Sequence, residues 1–403
     1  MRRLVAALAL SLAASLVLAA PAAAQKKGKT PARPELAATA DTNDASSYYD
    51  HGLAQLDRFP DRAADAFYWA TRLNPASADA FYARRVALLL AKRNLLVRYW
   101  SGDRRTMRNR DVQQADSLYL RALTINPFFY QKLDGQFFRA VIRQVAQEAV
   151  GPTGNVAAME YAIESYLRDA PAATRAWRAY SSGQFEEALR LYATAIRGAR
   201  RKAPLRVDRG RLFFQLDQPD SALVEFELAL EEMRKSDAKD LVFVYESKAL
   251  LEHSVGMVHH RLGRTDAARE AFGRALQEDL SYAPAHVQLG FIALEASDTT
   301  TAVSEFDLAV QIAATDPVLR YQYGYTLQEL GRVKEAEEQL RKAIELEPEY
   351  AAPYFALAMS LAAQGRDAEA VAELRTFLAR APRGDLRREE AAQHLAQLSG
   401  GAK

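Results

Sequence analysis

Four histidines lie in one stretch of the sequence, and imidazole is the side chain that most often binds zinc or copper. They are His253, His259, His260 and His286. Two histidines that hold a metal from one helix are usually four residues apart. Here His253 and His259 are six apart, and His259 and His260 are adjacent. We therefore interpret these histidines as surface or core groups and predict that the protein uses no metal and no cofactor.

Other catalytic patterns are missing from the sequence. It contains no Gly-rich phosphate loop, no G-x-S-x-G elbow and no H-E-x-x-H pair. It also contains no cysteine, which excludes a thiol nucleophile, a thiolate metal site and disulfides. Acidic pairs such as Glu337-Glu338 fall on predicted solvent faces, where they favour solubility over acid-base catalysis. We predict that the protein is not an enzyme.

A repeat of 34 residues dominates the second half of the chain. Its columns are Gly256, Gly290, Gly324 and Ala358; Ala268, Ala302, Ala336 and Ala370; and Phe272, Phe306, Leu340 and Leu374. Ala268, Phe272 and Ala275 are separated by four and three residues, which places them on one helical face. The small residues allow two helices to cross closely, and the large residue fills the space beside them. Each repeat is thus predicted to be a helical hairpin that must stack on its neighbours to bury its apolar surface.

This pattern resembles the tetratricopeptide repeat, through Leu289-Gly290, Ala302, Phe306, Ala309 and the helix-ending Pro348 and Pro382. The resemblance implies an all-α fold, a right-handed α-solenoid of stacked helical hairpins. It covers residues 48–382 in about nine units. Residues 48–170 are divergent repeats, residues 171–383 are regular repeats, and residues 384–403 are a capping helix and tail.

In tetratricopeptide arrays the first helices of successive hairpins line the concave side, so the resemblance directs attention to residues near the small crossing position. These candidates for binding a peptide or helical segment are Trp177, Tyr180, Arg211, Phe214, His253, Met257, His260, Phe291, Tyr321, Tyr325, Phe355 and Met359. Aromatic residues and methionine are enriched at the centres of protein interfaces. Aromatic residues at helical spacing are also typical of a core. Both interpretations stay open at this point.

The N-terminus predicts export. Arg2 and Arg3 precede an apolar stretch, and Ala22 and Ala24 form an A-x-A cleavage signal, so residues 1–24 are expected to be a signal peptide. An uncleaved membrane anchor is the alternative. Residues 25–47 lack apolar periodicity and are predicted to be a disordered linker. The protein is therefore expected to be periplasmic or secreted.

The remaining charge is balanced except in one insertion. Without Arg2 and Arg3, the chain has 51 basic and 51 acidic residues, which does not favour a nucleic-acid partner. Residues 92–113 form a basic insertion, whose docking candidates are Trp100, Arg104, Arg105, Arg108 and Arg110. They could contact an anionic membrane or envelope polymer, although a solvated helix extension is the favoured interpretation.

The sequence as a whole predicts a non-enzymatic scaffold of the cell envelope that binds another protein in a concave groove. The alternative is an envelope-attached accessory module that docks through the basic insertion.

Overall fold

The computed structural model describes residues 30–92, 95, 98, 104–168, 170–236 and 247–400, and no strand occurs among them. The first helices in chain order are α1 (Ala45–Gln55), α2 (Pro60–Leu73), α3 (Ala78–Ala91), α4 (Arg104–Met107), α5 (Arg110–Ile125), α6 (Asp134–Val150) and α7 (Val156–Arg168). They are followed by α8 (Ala172–Ser181), α9 (Phe185–Gly198), α10 (Ala203–Gln215), α11 (Pro219–Ser236), α12 (Lys248–Arg261) and α13 (Thr265–Glu278). The last are α14 (Ala283–Glu295), α15 (Thr299–Ile312), α16 (Pro317–Glu329), α17 (Val333–Leu346), α18 (Ala352–Ala362), α19 (Asp367–Arg380) and α20 (Arg387–Gly400). Consecutive helices from α8 to α19 pack as pairs, which confirms the all-α, solenoid-type class of stacked hairpins.

Local signals in the sequence begin and end these helices. The side chain of Asp298 accepts from the Thr301 backbone N–H at the start of α15, which satisfies one of the free donors of the first turn. Asp316 does the same for α16, where Pro317 fits the first helical position. The turn inside most hairpins contains a residue with positive φ, as at Gly331, where glycine carries no steric penalty.

The small residues of the repeat lie where the two helices of a hairpin cross. A Cβ atom added to Gly256 would stand 2.5 Å from the ring of Phe272, and one on Gly324 would stand 2.7 Å from Leu340. These distances are shorter than any ordinary carbon contact, so a larger residue would push the helices apart. The predicted role of this column at the helix crossing is confirmed.

Two compact units divide the chain, and each has its own core. The first unit contains Ala54–Ala64 and Phe81–Glu278. One of its clusters joins Phe226, Leu230 and Val255 with Phe128, which comes from the loop between α5 and α6. Within this unit α11 packs on α12, and α9 packs on α10, so successive hairpins stack.

The second unit contains Ala32–Leu53, Asp65–Ala80 and residues 279–400. Its main cluster links hairpins α14–α15, α16–α17 and α18–α19 through Phe306, Tyr323, Leu340 and Leu361. The last helix, α20, packs on α19. In this unit residues 32–53 and 65–80 pack with the last hairpins. The predicted change from divergent to regular repeats near residue 170 is a division of another kind and stays a prediction.

Residues 30–47 have defined contacts where the sequence predicts a disordered linker. Arg33 donates from Nε to the hydroxyl of Tyr48 at 2.8 Å. Asn43 donates from Nδ2 to the backbone oxygen of Ala379 at 2.7 Å. These polar contacts compensate for the lack of apolar periodicity in the segment. The predicted signal peptide, residues 1–24, lies outside the described residues.

Candidate functional site

The predicted groove residues all lie on the first helices of successive hairpins. In the first unit they are Trp177 and Tyr180 on α8, Arg211 and Phe214 on α10, and His253, Met257 and His260 on α12. In the second unit they are Phe291 on α14, Tyr321 and Tyr325 on α16, and Phe355 and Met359 on α18. Tyr180, Arg211 and His253 are buried, Tyr325 is exposed, and the others are half-buried.

A loop of the chain itself covers this face in the first unit. The ring of Phe128 stacks on Phe214 with 3.8 Å between ring centroids and an interplanar angle of 20°. Arg211 donates from Nε to the backbone oxygen of Pro127 at 3.1 Å, and Gln215 donates from Nε2 to the backbone oxygen of Phe128. Helix α10 thus holds its own chain by one ring stack and two main-chain carbonyls.

The same loop reaches α8 through its C-terminal end. Trp177 donates from Nε1 to Oδ2 of Asp134 at 3.1 Å, and its ring meets Phe138 edge to face. Tyr130 donates from its hydroxyl to the backbone oxygen of Tyr180 at 3.0 Å. Burial raises the pKa of Asp134, and hydrogen bonds from Tyr82 and Trp177 oppose that shift. We call residues 126–134 the plug loop, because they cover the candidate residues of α8 and α10.

On α12, the candidate histidine is a core residue. His253 is 3% exposed, and its ring centroid lies 5.5 Å from that of Phe272. Burial lowers the pKa of this imidazole to about 4, so the ring is neutral at pH 7. Met257 packs with the cluster that contains Phe128. His253 therefore packs inside the α12–α13 hairpin and is not available to a ligand in this structure.

In the second unit, Phe291 and Phe355 flank the core. Phe291 meets Phe306 edge to face at 5.2 Å, and Phe355 lies 5.3 Å from Phe377. Met359 packs in the cluster that includes Leu395 and Leu398 of α20, as Phe355 does. These three side chains thus contribute to structural packing and are partly exposed as well.

Among the predicted groove residues, Tyr325 is the exposed one, and it lies beside a second tyrosine ring that contacts a third. The ring centroid of Tyr321 lies 6.3 Å from that of Tyr325 and 5.5 Å from that of Tyr350. Tyr325 is 47% exposed. Burial raises the pKa of Tyr321, with Arg387 opposing, so its hydroxyl stays protonated and neutral. We call Tyr321, Tyr325 and Tyr350 the tyrosine patch.

The sequence interpretation missed the plug loop and Tyr350. A signal for the loop was present, since Asn126-Pro127-Phe128-Phe129-Tyr130 is an aromatic run in the part of the chain that fits the repeat poorly. An aromatic run after a helix-ending proline needs a surface to cover it. Tyr350 gave no signal, because it lies in the turn between two units of the repeat.

The basic insertion is only partly described. Arg105, Arg108 and Arg110 are exposed, and Lys92 lies 3.5 Å from Asp111. Trp100 and the side chain of Arg104 lie outside the described residues. Three exposed guanidinium groups are compatible with docking and with a solvated helix alike.

The residues that the structure describes contain neither a metal-ligand cluster nor a helix that could span a membrane. No three His, Asp or Glu side chains there are placed to hold a metal ion. Likewise, none of the described helices combines the length and apolarity that a bilayer span requires.

Stacked hairpins with small crossing residues at 34-residue steps define a helical repeat protein. The family model for the tetratricopeptide repeat matches residues 173–238, 256–317 and 321–385. These residues therefore contain tetratricopeptide repeats, and proteins built from such repeats generally mediate protein–protein interactions and are typically not enzymes. The search of curated proteins found no match.

Several solved structures are similar in fold. YrrB, described as a TPR protein with an unusual peptide-binding site, is 19% identical, with 51% of this chain and 97% of YrrB covered and a TM-score of 0.39. The C-terminal part of a TPR repeat-containing protein from Cytophaga hutchinsonii is 17% identical, with 57% and 89% covered and a TM-score of 0.47. The Cut9-Hcn1 hetero-tetramer of the APC/C is 15% identical, with 88% and 76% covered and a TM-score of 0.41.

Proposed function

We propose that this protein is an exported, non-enzymatic scaffold that binds a segment of another protein on the tyrosine patch of its second unit. The observation that carries the proposal is the exposure of Tyr325 beside the ring of Tyr321, which in turn contacts Tyr350. Tyrosine supplies a large contact area at low entropic cost, and interface centres are enriched in it. In the first unit the plug loop covers the candidate residues of α8 and α10, which favours the second unit as the binding surface.

The ligand that suits this surface is an apolar or amphipathic peptide segment. The patch offers three phenol rings, and the first helices before and after it carry the half-buried Phe291 and Met359. Such rings and thioethers adapt to side chains of different shape. The first unit gives an internal precedent, since α10 holds a loop segment by stacking on Phe128 and bonding its main chain.

Photocrosslinking at position 325 tests the proposal. A photoreactive residue at Tyr325 is expected to crosslink one discrete partner in cell-envelope extract, whereas the same residue at Leu308 is not. Leu308 is also exposed but lies on α15, the second helix of its hairpin. A synthetic peptide of the crosslinked segment should then bind the wild type, and Tyr325→Ser should weaken binding by about tenfold or more. Equal crosslinking at both positions, or equal peptide affinity for Tyr325→Ser, would refute the proposal.

The localisation has its own experiment. Cell fractionation with antibody detection should find a processed chain outside the cytoplasm, shortened near Ala24. A full-length chain that stays in the cytoplasm would contradict export.

The exposed Arg105, Arg108 and Arg110 support a second candidate, docking to an anionic membrane or polymer. Flotation with anionic liposomes separates the two candidates, because only docking predicts co-flotation at low salt. Replacement of these three arginines by Gln should then abolish co-flotation and leave Tyr325 crosslinking unchanged.

A further inference from the structure

The N-terminal segment of the second unit is held by the C-terminal hairpins of that unit. Asn43 bonds the backbone oxygen of Ala379 at 2.7 Å, and the backbone N–H of Arg383 donates to Oδ2 of Asp41 at 2.5 Å. Arg383 also donates from Nη2 to the backbone oxygen of Ala40 at 3.2 Å. Residues more than 330 positions apart in sequence thus share hydrogen bonds at the end of α19.

A second set of contacts converges on the turn between α17 and α18. Arg72 donates from Nε to Oε1 of Glu347 at 2.6 Å, and the Glu347 side chain is only 10% exposed. Arg33 lies 3.9 Å from Glu349, and its guanidinium carbon is 5.0 Å from the ring centroid of Trp69. Charge-assisted bonds of this kind between partly buried groups are stronger than exposed ion pairs.

The same turn carries a tyrosine of the proposed binding surface. The backbone N–H of Tyr350 donates to the oxygen of Glu347 at 3.1 Å, and the ring of Tyr350 meets Tyr321 edge to face. Residues 347–350 therefore carry the two carboxylates that pair with Arg72 and Arg33, and also the ring that packs against Tyr321. A shift of the turn moves both sets of contacts.

We propose that residues 33–48 and Arg72 form an N-terminal clasp, and that the Glu347–Tyr350 turn couples closure of this clasp to the order of the tyrosine patch. The closed clasp holds the turn in place, which keeps Tyr350 against Tyr321. A partner that binds the ordered patch strengthens the clasp by the same factor, because coupling between two binding equilibria is reciprocal. The importance of the patch for partner binding rests on the proposed function; the coupling itself does not.

Two measurements on the full chain test the coupling without a partner. Because the sequence has no cysteine, Thr42→Cys and Arg375→Cys provide two unique sites for fluorophores whose energy transfer reports clasp closure. Hydrogen exchange of residues 346–355 and 317–329 reports the turn and the patch. Arg72→Met is expected to lower energy transfer, to speed exchange of residues 346–355 at least about fivefold, and to speed exchange around Tyr321 about twofold.

Matched variants keep the experiment decisive. Arg341→Met removes an ion pair with Glu337 in the same unit, away from the clasp, and should change neither signal. Arg72→Glu combined with Glu347→Arg should restore both signals, which excludes simple misfolding as the cause. Reduced energy transfer in Arg72→Met with unchanged exchange at residues 317–329 would overturn the coupling, and unchanged energy transfer would overturn the clasp. Neither result depends on whether a partner binds Tyr325.

Discussion

His253 shows that a residue's position in the repeat does not by itself determine whether its side chain is exposed. The sequence places it on the predicted binding face, three residues before Gly256, yet the structure buries it against Phe272. Its low pKa follows from burial alone, since a charged imidazole loses its hydration there. The unfolded chain has no such penalty and binds a proton near pH 6.5.

We expect the stability of the first unit to fall as the pH is lowered from about 6.5 towards 4. In that interval the unfolded state binds a proton on His253 that the folded state does not. For a folded-state pKa of about 4, the loss reaches about 2 to 3 kcal/mol at about pH 4.5. Urea unfolding of the wild type and of His253→Leu at about pH 7 and about pH 4.5 measures this loss of unfolding free energy. The variant should lack the share of the loss that comes from protonation of His253. An identical pH dependence in the two proteins would contradict the assignment.

The candidate residues themselves were predictable in part. The repeat register pointed to Tyr325, which is exposed, and to Tyr321 and Phe291, which are half-buried. It could not separate these from Phe214 or Trp177, because the side chains that cover those two, Phe128 and Phe138 among them, come from a part of the chain that precedes the regular repeats. Register within a repeat specifies a helix face, whereas exposure depends on what a distant segment places on that face.

At the scale of elements, the turns inside successive hairpins occupy equivalent positions of the repeat, and most of them contain a glycine that the sequence makes visible. Gly183, Gly263, Gly331 and Gly365 all have φ between 70° and 74°. The equivalent turns at Asp217 and Ser297 have φ of 58° and 59° with a side chain present. An L-residue in this left-handed region pays a steric cost that glycine does not.

Ser297→Gly is therefore expected to stabilise the second unit by about 0.5 to 1 kcal/mol, because relief of strain exceeds the added entropy of the unfolded chain. The reverse exchange at an equivalent turn, Gly331→Ser, should destabilise the same unit by a similar or larger amount. Urea unfolding followed by circular dichroism measures both. A less stable Ser297→Gly variant would show that the serine side chain makes a compensating contact.

The 34-residue repeat also explains why the structure of two segments could not be predicted from the sequence. The 34-residue step predicted the helix pairs from α8 to α19, because each hairpin repeats one solution to the same packing problem. Residues 126–134 and 30–47 follow no such repeat. Their structure depends on single contacts such as Arg211 to Pro127 and Asn43 to Ala379, and no local pattern encodes a partner so far along the chain.

For the molecule as a whole, the two ends of the described chain belong to one compact unit. A substitution that destabilises the last hairpin should therefore also loosen the N-terminal segment that is hydrogen-bonded to it. Phe377 is fully buried on α19, and its ring lies beside Phe355 and the guanidinium of Arg387. The backbone groups that hold Asn43 and Asp41 follow within six residues of it.

We predict that Phe377→Ala exposes residues 33–44 to proteolysis. The cavity should cost about 3 to 5 kcal/mol, concentrated in the last hairpin, so the segment loses its anchors before the remainder of the unit unfolds. Phe272→Ala creates a matched cavity in the first unit and should leave the segment protected. Limited proteolysis with mass spectrometry compares the cleavage rates. Equal rates in the two variants would show that the segment is not held by α19.

The contact between the small crossing residue and the large residue opposite it has a consequence for building new arrays from this chain. The two residues lie 16 positions apart, and in three hairpins a crossing glycine faces a phenylalanine: Gly210 with Phe226, Gly256 with Phe272 and Gly290 with Phe306. A designer who lengthens the array must therefore transplant both members together. A consensus derived one column at a time would average them separately and place an alanine opposite one of these rings, where its Cβ atom would stand 2.4 to 3.0 Å from ring carbons.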